Sequence, residues 1–154
     1  MNLLQVGTDE VVTVKQGSTI IEAARLMRDK HVGTVIVTSD TLPPCPVGIL
    51  TDRDIVIKAV AFADHRTVVE VRQAMSSALV TVPASTEVHE ALQLMRARGV
   101  RRLVVTGENG GLKGIVSFDD IVMLFAEELT DMAKSIAAGL LREETKAVSS
   151  PPAA

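Results

Sequence analysis

The sequence predicts an α/β (α+β) sandwich in which two copies of a β-α-β-β-α unit pack as a pseudo-symmetric pair. Three observations predict it. Residues 12–38 align without a gap to residues 80–106, and both segments contain the runs Val-Thr-Val, Glu-Ala and Leu-Met-Arg. A second related block follows each copy, at residues 48–56 and 114–122. Short β-rich runs alternate with apolar residues at helical spacing, and a long repeat in two copies indicates a closed pair that shares a core.

The predicted strands are short runs rich in β-branched and apolar residues. In copy one they lie at residues 11–14, 35–37 and 47–50, and in copy two at residues 79–82, 103–105 and 112–116. The central run of each copy, Val-Ile-Val or Leu-Val-Val, is entirely apolar, which predicts a buried strand.

The first helix of each copy follows a hydroxyl residue, and we predict Ser18 and Thr86 as the N-caps. The helices are indicated by apolar residues at helical spacing: Ile20, Ala23, Ala24 and Met27 in copy one, and Val88, Ala91, Leu92 and Met95 in copy two. A second helix starts at Asp52 or Phe118, and residues 71–75 form a short helix that leads into copy two. The predicted domains are residues 1–60 and 70–127, joined by a linker at residues 61–69.

The helix that starts at Phe118 continues far beyond its counterpart in copy one. An amphipathic stripe with charged residues between its members predicts this extension: Phe125, Leu129, Met132, Ile136 and Leu140. The helix either folds back on its own domain or contacts a second subunit. We predict a helical extension at residues 128–146 and a disordered tail at residues 147–154, which contains Ser-Ser-Pro-Pro.

Composition argues against several classes of function. The chain has 154 residues, a formal net charge of −3, no Trp or Tyr and 3 Phe, which disfavours a nucleic-acid binder. Its single cysteine, Cys45, lies in a proline-rich loop and permits no internal disulfide, which fits a cytoplasmic protein; a redox role and an incidental loop thiol are both open. The N-terminal residues do not form a signal peptide, and no apolar run is long enough for a membrane span.

We predict that the chain is not an enzyme. His31, His65 and His89 show no metal-ligand spacing with one another or with Cys45, so no metal site is predicted. The sequence contains no Gly-x-Gly-x-x-Gly, no Walker loop and no nucleophile elbow, and so no catalytic cofactor is expected.

The most informative residues lie where the third strand of each copy runs into a helix. Gly48, Thr51 and Asp54 in copy one repeat as Gly114, Ser117 and Asp120 in copy two, with identical spacing. One interpretation is a capping box, in which the hydroxyl caps the helix and the acid returns to a backbone N–H. Asp is shorter than Glu and is therefore a less natural partner for that cap.

The other interpretation is a nucleotide site. A helix N-terminus offers free N–H groups to a phosphate, and a Thr or Ser hydroxyl can donate to a phosphate oxygen. A carboxylate has two acceptor oxygens, which match the two vicinal hydroxyls of ribose. The glycine of the pattern leaves room for a group to approach the backbone.

With these motifs, residues 1–127 resemble a pair of cystathionine-β-synthase (CBS) domains, the arrangement called a Bateman module, of the stand-alone bacterial and archaeal type. The resemblance implies a cleft between the domains that binds an adenosyl compound such as AMP, ADP, ATP, S-adenosylmethionine or an NAD-like molecule. It assigns ribose to Asp54 and Asp120 and phosphate to Thr51 and Ser117. It also implies a homodimer.

The residues before the second strand differ between the copies. Copy two has Arg101 and Arg102, which are either phosphate contacts or a solvated strand end, whereas Gly33 and its neighbours in copy one carry no cation. Val32 and Val100 either pack against adenine or belong to the core. Two further acids beside the signature, Asp52 and Asp119, disfavour a polyphosphate unless arginines or a divalent cation offset their charge.

The predicted function is a regulatory module that binds an adenosyl ligand and transmits its state through a homodimer to a partner protein, without nucleic acid or membrane. The alternative is a ligand-free scaffold or stress-response protein. It would use the fold to dimerise and the long helix to dock a partner.

Overall fold

The computed structural model describes residues 3–61 and 69–149. These residues belong to two compact units, Met1–Phe118 and Asp119–Ala154. Except for its two ends, the predicted linker at residues 61–69 lies outside the described residues, as do residues 150–154 of the predicted tail.

Both copies follow the predicted β-α-β-β-α order. Copy one contains a 3₁₀ turn (Leu3–Gln5), β1 (Thr13–Lys15), α1 (Ile20–Lys30), β2 (Thr34–Thr38), β3 (Pro46–Thr51), the single turn α2 (Asp52–Asp54) and a π-helical segment (Ile55–Val60). Copy two contains α3 (Val71–Ala74), β4 (Thr81–Pro83), α4 (Val88–Arg98), β5 (Arg102–Thr106), β6 (Leu112–Ser117) and α5 (Phe118–Ser149). The first strand of each copy begins later than predicted, at Thr13 or Thr81.

Each copy forms a three-stranded sheet with its second strand in the centre. β1 pairs with β2 in parallel and β2 pairs with β3 in antiparallel orientation, and β4, β5 and β6 repeat this arrangement. A parallel pair needs a crossover connection, which α1 and α4 provide. Three consecutive residues of each central strand are at most 1% exposed, namely Val35, Ile36 and Val37 and their equivalents Leu103, Val104 and Val105. Because successive strand residues point to opposite faces, both faces of each sheet are covered.

The first helices begin one residue later than predicted, with Thr19 and Glu87 as N-caps. The Thr19 hydroxyl accepts the Glu22 N–H at 3.2 Å, and the Glu22 carboxylate accepts the Thr19 N–H at 2.7 Å. The prediction of Ser18 was wrong because the residue three positions after Ser18 is apolar, whereas Thr19 has Glu22 at that spacing. In α4 the equivalent glutamate, Glu90, accepts the backbone N–H of Glu87 at 3.2 Å.

The segments that precede the two copies cross over to each other's sheets. Thr8 forms an antiparallel bridge with Ile115 of β6, through backbone hydrogen bonds of 3.1 and 3.0 Å. Its equivalent, Ser76, forms the same bridge with Ile49 of β3, through two hydrogen bonds of 2.9 Å. The buried residues of α3 therefore belong to the core cluster of copy one. The two copies are therefore joined by a reciprocal exchange of short segments.

The helix α5 is a single helix of 32 residues, much longer than the short helical segment in the same place in copy one. The stripe at Phe125, Leu129, Met132, Ile136 and Leu140 is between 47% and 66% exposed. The helix includes residues 147–149, where the sequence predicts the start of the tail. No helix of the described residues has both the length and the apolar character needed to cross a bilayer.

Candidate functional site

In copy one, the turn between β3 and α2 is a complete capping box. Thr51 has extended backbone angles (φ −111°, ψ 160°), and its hydroxyl accepts the Asp54 N–H at 3.1 Å. One carboxylate oxygen of Asp54, Oδ2, accepts both the Thr51 N–H at 3.0 Å and the Thr51 hydroxyl at 2.7 Å. The expectation that an aspartate is a less natural partner for the reciprocal cap than a glutamate is therefore wrong at this turn, where the shorter side chain reaches both the N–H and the hydroxyl of Thr51.

The second carboxylate oxygen of Asp54 is paired with a lysine that the sequence analysis missed. Lys58 Nζ lies 2.8 Å from Asp54 Oδ1 and also donates to the backbone carbonyl of Ala74, at 3.1 Å. Burial raises the pKa of the Asp54 carboxyl group, but the hydrogen bonds from Lys58 and Thr51 and the charge of Lys58 outweigh burial and hold that pKa below its ordinary value. The spacing of four residues between an acid and a lysine was the signal that could have revealed the pair.

The loop before β2 lies against this turn. The Gly33 carbonyl accepts the Asp52 N–H at 3.0 Å, and a Cβ built at Gly33 would lie 3.0 Å from Asp52 Oδ2. The Asp52 carboxylate also accepts the N–H of Arg53 at 2.7 Å. Val32, the candidate adenine contact, packs against the core cluster of copy one. The structure thus brings the predicted residues of copy one together, with a carboxylate placed over the glycine.

The glycine of the signature serves the fold in copy one. A Cβ at Gly48 would lie 2.6 Å from Met75 Sδ and 2.9 Å from the Ser76 carbonyl oxygen. The group that approaches this backbone is therefore the crossing segment of the chain itself, and no space for a ligand remains there. Gly114 is buried and has the same position in its sheet, opposite Val105 as Gly48 is opposite Val37.

In copy two, two arginines stand beside the equivalent turn. Arg102 pairs directly with Ser117 in the antiparallel ladder, so their side chains share one face of the sheet. The Arg101 carbonyl accepts the Phe118 N–H at 2.8 Å, which fixes the loop against the first residue of α5. Asp119 and Asp120 lie in the first turn of that helix.

An open groove of about 330 Å³ lies beside the loop of copy two. It is lined mainly by apolar atoms of the last turns of α4 and the residues that follow: Leu92, Met95, Arg96, Gly99, Val100, Arg101 and Phe118. Phe118 replaces Asp52 in the alignment, and Arg101 replaces Gly33. Copy two therefore has an aromatic ring and a cation where copy one has a carboxylate over a glycine.

The histidines and the cysteine form no metal site within the described residues, where no group of three or more His, Cys, Asp and Glu is placed to hold an ion. His31 is the left-handed C-cap of α1, with φ 54°. His89 is hydrogen-bonded to Gln93 at 2.9 Å. Cys45 is exposed, and its N–H donates to the Ser39 hydroxyl at 3.0 Å. His65 lies outside the described residues.

A family model for the CBS domain matches residues 5–60 and 70–127. The chain belongs to the CBS-domain family. An uncharacterized protein of Methanopyrus kandleri is 37% identical to this CBS pair over 120 residues, which are 78% of this chain and 60% of that protein. The CBS domain-containing protein YhcV of Bacillus subtilis is 36% identical over 117 residues, which cover 75% of this chain and 79% of YhcV.

A solved CBS domain protein from Pyrobaculum aerophilum, complexed with AMP, has the same fold as this CBS pair. The TM-score is 0.68 at 27% sequence identity, and the match covers 78% of this chain and 89% of that chain.

Proposed function

We propose that this CBS pair is a regulatory module that binds an adenine nucleotide or another adenosyl ligand in the cleft between its CBS domains. The observation that carries the proposal is the position of two arginines beside the signature of copy two. Arg102 lies opposite Ser117 in the sheet, and the Arg101 backbone is bonded to the start of α5. A cation, a hydroxyl and a helix N-terminus at one place suit a phosphate. The AMP complex of a protein with the same fold supports this choice.

Each residue of copy two has a role in this proposal. Ser117 and the N-terminal turn of α5 contact the phosphate, and Arg101 and Arg102 neutralise it. Asp120 accepts the ribose hydroxyls, and Val100 packs against the base. Because an acid follows Phe118 in the first turn of α5, ligands with few phosphates are favoured over ATP unless a divalent cation accompanies it.

The binding test compares AMP with adenosine. AMP must raise the melting temperature of the protein, since a ligand of the folded state stabilises it. Asp120→Ala should weaken AMP binding roughly 10- to 150-fold through loss of hydrogen bonds to a charged group, measured by titration calorimetry. The double variant Arg101→Ala, Arg102→Ala should weaken AMP binding much more than adenosine binding.

The control is Arg98→Ala, which removes an exposed arginine of the last turn of α4. It should leave both affinities unchanged. Equal losses for AMP and adenosine in the double arginine variant would make those arginines structural. If none of AMP, ADP, ATP, NAD and S-adenosylmethionine shifts the melting temperature, the ligand proposal is wrong.

The same proposal includes a homodimer that passes the bound state to a partner protein. Many apolar side chains of the described residues are exposed. Among them, Ile21, Val56 and Val60 in copy one are 59–66% exposed, and the stripe of α5 is exposed along its length. Exposed apolar surface of this extent marks interfaces, and two-fold association is the commonest way to cover it. A bound nucleotide then shifts the population of dimer arrangements by its differential affinity for them.

Truncation after Glu128 tests the role of α5 in the dimer. It removes four of the five stripe residues, and the dimer dissociation constant should rise by about tenfold or more, as measured by sedimentation equilibrium. AMP affinity should stay the same, because the signature of copy two is retained. A full-length chain that is monomeric at micromolar concentration refutes the dimer. An unchanged dissociation constant after truncation would show that α5 does not contribute to the dimer, while the dimer itself would stand.

A second candidate is a ligand-free scaffold. It is favoured by copy one, where the signature residues are fully engaged with one another and with Lys58. A stable dimer whose melting temperature no adenosyl compound changes would select this candidate.

A further inference from the structure

We propose that Lys58 closes the nucleotide turn of copy one, so that the chain takes up one adenine nucleotide, at copy two, and not two. This inference rests on the proposed function and concerns how it is regulated. In this inference the signature residues of copy one, Thr51 and Asp54, form a structural turn, because they are hydrogen-bonded to each other.

The first argument is the number of acceptor positions on the Asp54 carboxylate. A carboxylate offers about four lone-pair positions, and a ribose diol needs two of them. Oδ2 already accepts two hydrogen bonds from Thr51, and Oδ1 accepts one from Lys58. The remaining position cannot hold both hydroxyls of a ribose, so binding requires Lys58 to leave.

The second argument is that the Thr51 hydroxyl holds the Asp54 carboxylate in place. The hydroxyl donates to Asp54 at 2.7 Å, and its oxygen accepts the Asp54 N–H at 3.1 Å. Asp54 therefore cannot turn Oδ1 away from Lys58 without breaking these bonds.

The third argument is that Lys58 is anchored at two points. Its ammonium group bridges Asp54 and the Ala74 carbonyl, which lies at the C-terminal end of α3. The carboxylate beneath it is the less accessible partner, since the Asp54 side chain is 19% exposed and the Lys58 side chain 42%. A ligand that displaced Lys58 would leave a helix-end carbonyl without its donor, in addition to breaking the ion pair.

The fourth argument is the charge at the phosphate end of the turn. In copy one the Asp52 carboxylate lies over Gly33, where it repels a phosphate. The alignment keeps the hydroxyl and the aspartate in copy two but changes three residues around them: Leu124 stands at the position of Lys58, Phe118 at that of Asp52 and Arg101 at that of Gly33. A leucine cannot form the ion pair that closes copy one.

The experiment counts adenosine and AMP molecules bound per chain by titration calorimetry. The wild-type chain should bind about one AMP and about one adenosine. Lys58→Met keeps an unbranched side chain, one atom shorter, but removes its charge, so it should add a second adenosine site. Adenosine is the sensitive probe, because it has no phosphate for Asp52 to repel. Lys134→Met is the matched control, since it removes an exposed lysine that pairs with Asp131 at 2.9 Å, and it should leave the stoichiometry unchanged.

A second measurement uses the unmutated protein and therefore does not depend on the folding of a variant. The side-chain carboxyl resonance of Asp54 and the ammonium resonance of Lys58 should not move when AMP saturates the chain. Two molecules per wild-type chain, movement of those resonances, or a single adenosine site in a folded Lys58→Met variant would each overturn the closure by Lys58. If neither the wild-type chain nor Lys58→Met binds adenosine or AMP, the proposed nucleotide function itself fails.

Discussion

The turn after β3 closes on itself, whereas the equivalent turn after β6 stands beside two arginines and an open apolar groove. Both turns carry the same signature of glycine, hydroxyl and aspartate at the same spacing. The differences lie in residues around the signature: a lysine four positions later in copy one, and the pair Arg101 and Phe118 in copy two. The same motif therefore stands in two different environments, and we propose the ligand site for the one beside the arginines.

The comparison also shows why a repeat keeps its fold while its chemistry diverges. The two bridges that join the copies are equivalent, Thr8 with Ile115 and Ser76 with Ile49. They depend on hydrogen bonds between backbone N–H and C=O groups, which almost any residue can form. The environment of each turn depends on single side chains and can change by single substitutions.

The largest expected effect on stability is at the bridge between Ser76 and Ile49, where the segment that precedes copy two contacts the sheet of copy one. Gly48→Ala places a Cβ 2.6 Å from Met75 Sδ and 2.9 Å from the Ser76 carbonyl oxygen. Since that backbone is held by the bridge to Ile49, the free energy of unfolding should fall by about 1–3 kcal/mol in urea denaturation. Gly7→Ala tests the reciprocal crossing, because its Cβ would meet the Ile115 carbonyl oxygen. The two losses should be of similar size if the crossings are equivalent.

The control for this comparison is Gly139→Ala, where an added Cβ meets nothing within 4 Å. It should stabilise α5 by up to about 1 kcal/mol, since glycine is a poor residue in a helix interior. An unfolding free energy that does not change in Gly48→Ala would show that the crossing segment can move away at no cost.

A smaller difference is expected between the first helices of the two copies. Thr19→Ala removes a hydroxyl that accepts the Glu22 N–H at 3.2 Å, so it should cost about 1 kcal/mol of unfolding free energy. Glu87→Gln keeps both the backbone N–H that donates to Glu90 and the length of the side chain, so it should change stability by less than about 0.5 kcal/mol. Thermal denaturation of the two variants measures the difference. Equal losses would mean that the hydroxyl adds nothing to the cap.

The smallest effect is the pH dependence that the closed turn gives to stability. The Asp54 pKa in the folded chain lies below its unfolded value because hydrogen bonds from Lys58 and Thr51 outweigh burial. Its contribution is therefore present above the unfolded pKa of about 3.9 and is lost as the pH falls through the folded pKa. Lys58→Met should raise the Asp54 pKa. The free energy of unfolding should then depend less on pH in this acidic range. Carboxyl NMR titration measures the pKa directly, and an Asp54 pKa at or above the ordinary value in the wild-type chain contradicts the closed turn.

Much of the fold was predictable from the sequence, because its signals are local and occur twice. The aligned segments predict the repeat, and the apolar central runs predict the buried strands β2 and β5, which are at most 1% exposed at their centres. Helical spacing predicts the buried residues Ile20, Ala23 and Met27 of α1. The position of the N-cap was predicted one residue early, although the spacing from Thr19 to Glu22 carried the correct answer.

Only the tertiary structure decided what surrounds each signature. The spacing of Asp54 and Lys58 is a local signal for their ion pair, but nothing local indicates that the same ammonium group also reaches the Ala74 carbonyl. The sequence also does not indicate that residues 75 and 76 pass so close to Gly48 that no Cβ fits there. That approach depends on contacts between residues that are distant along the chain. Periodicity reports which face of an element is buried, whereas the partner of a polar group is set by which elements meet. For this CBS pair, the sequence by itself determined the repeated architecture and the candidate turns, and the packing of α3 against copy one determined that Lys58 bridges Asp54 and the Ala74 carbonyl.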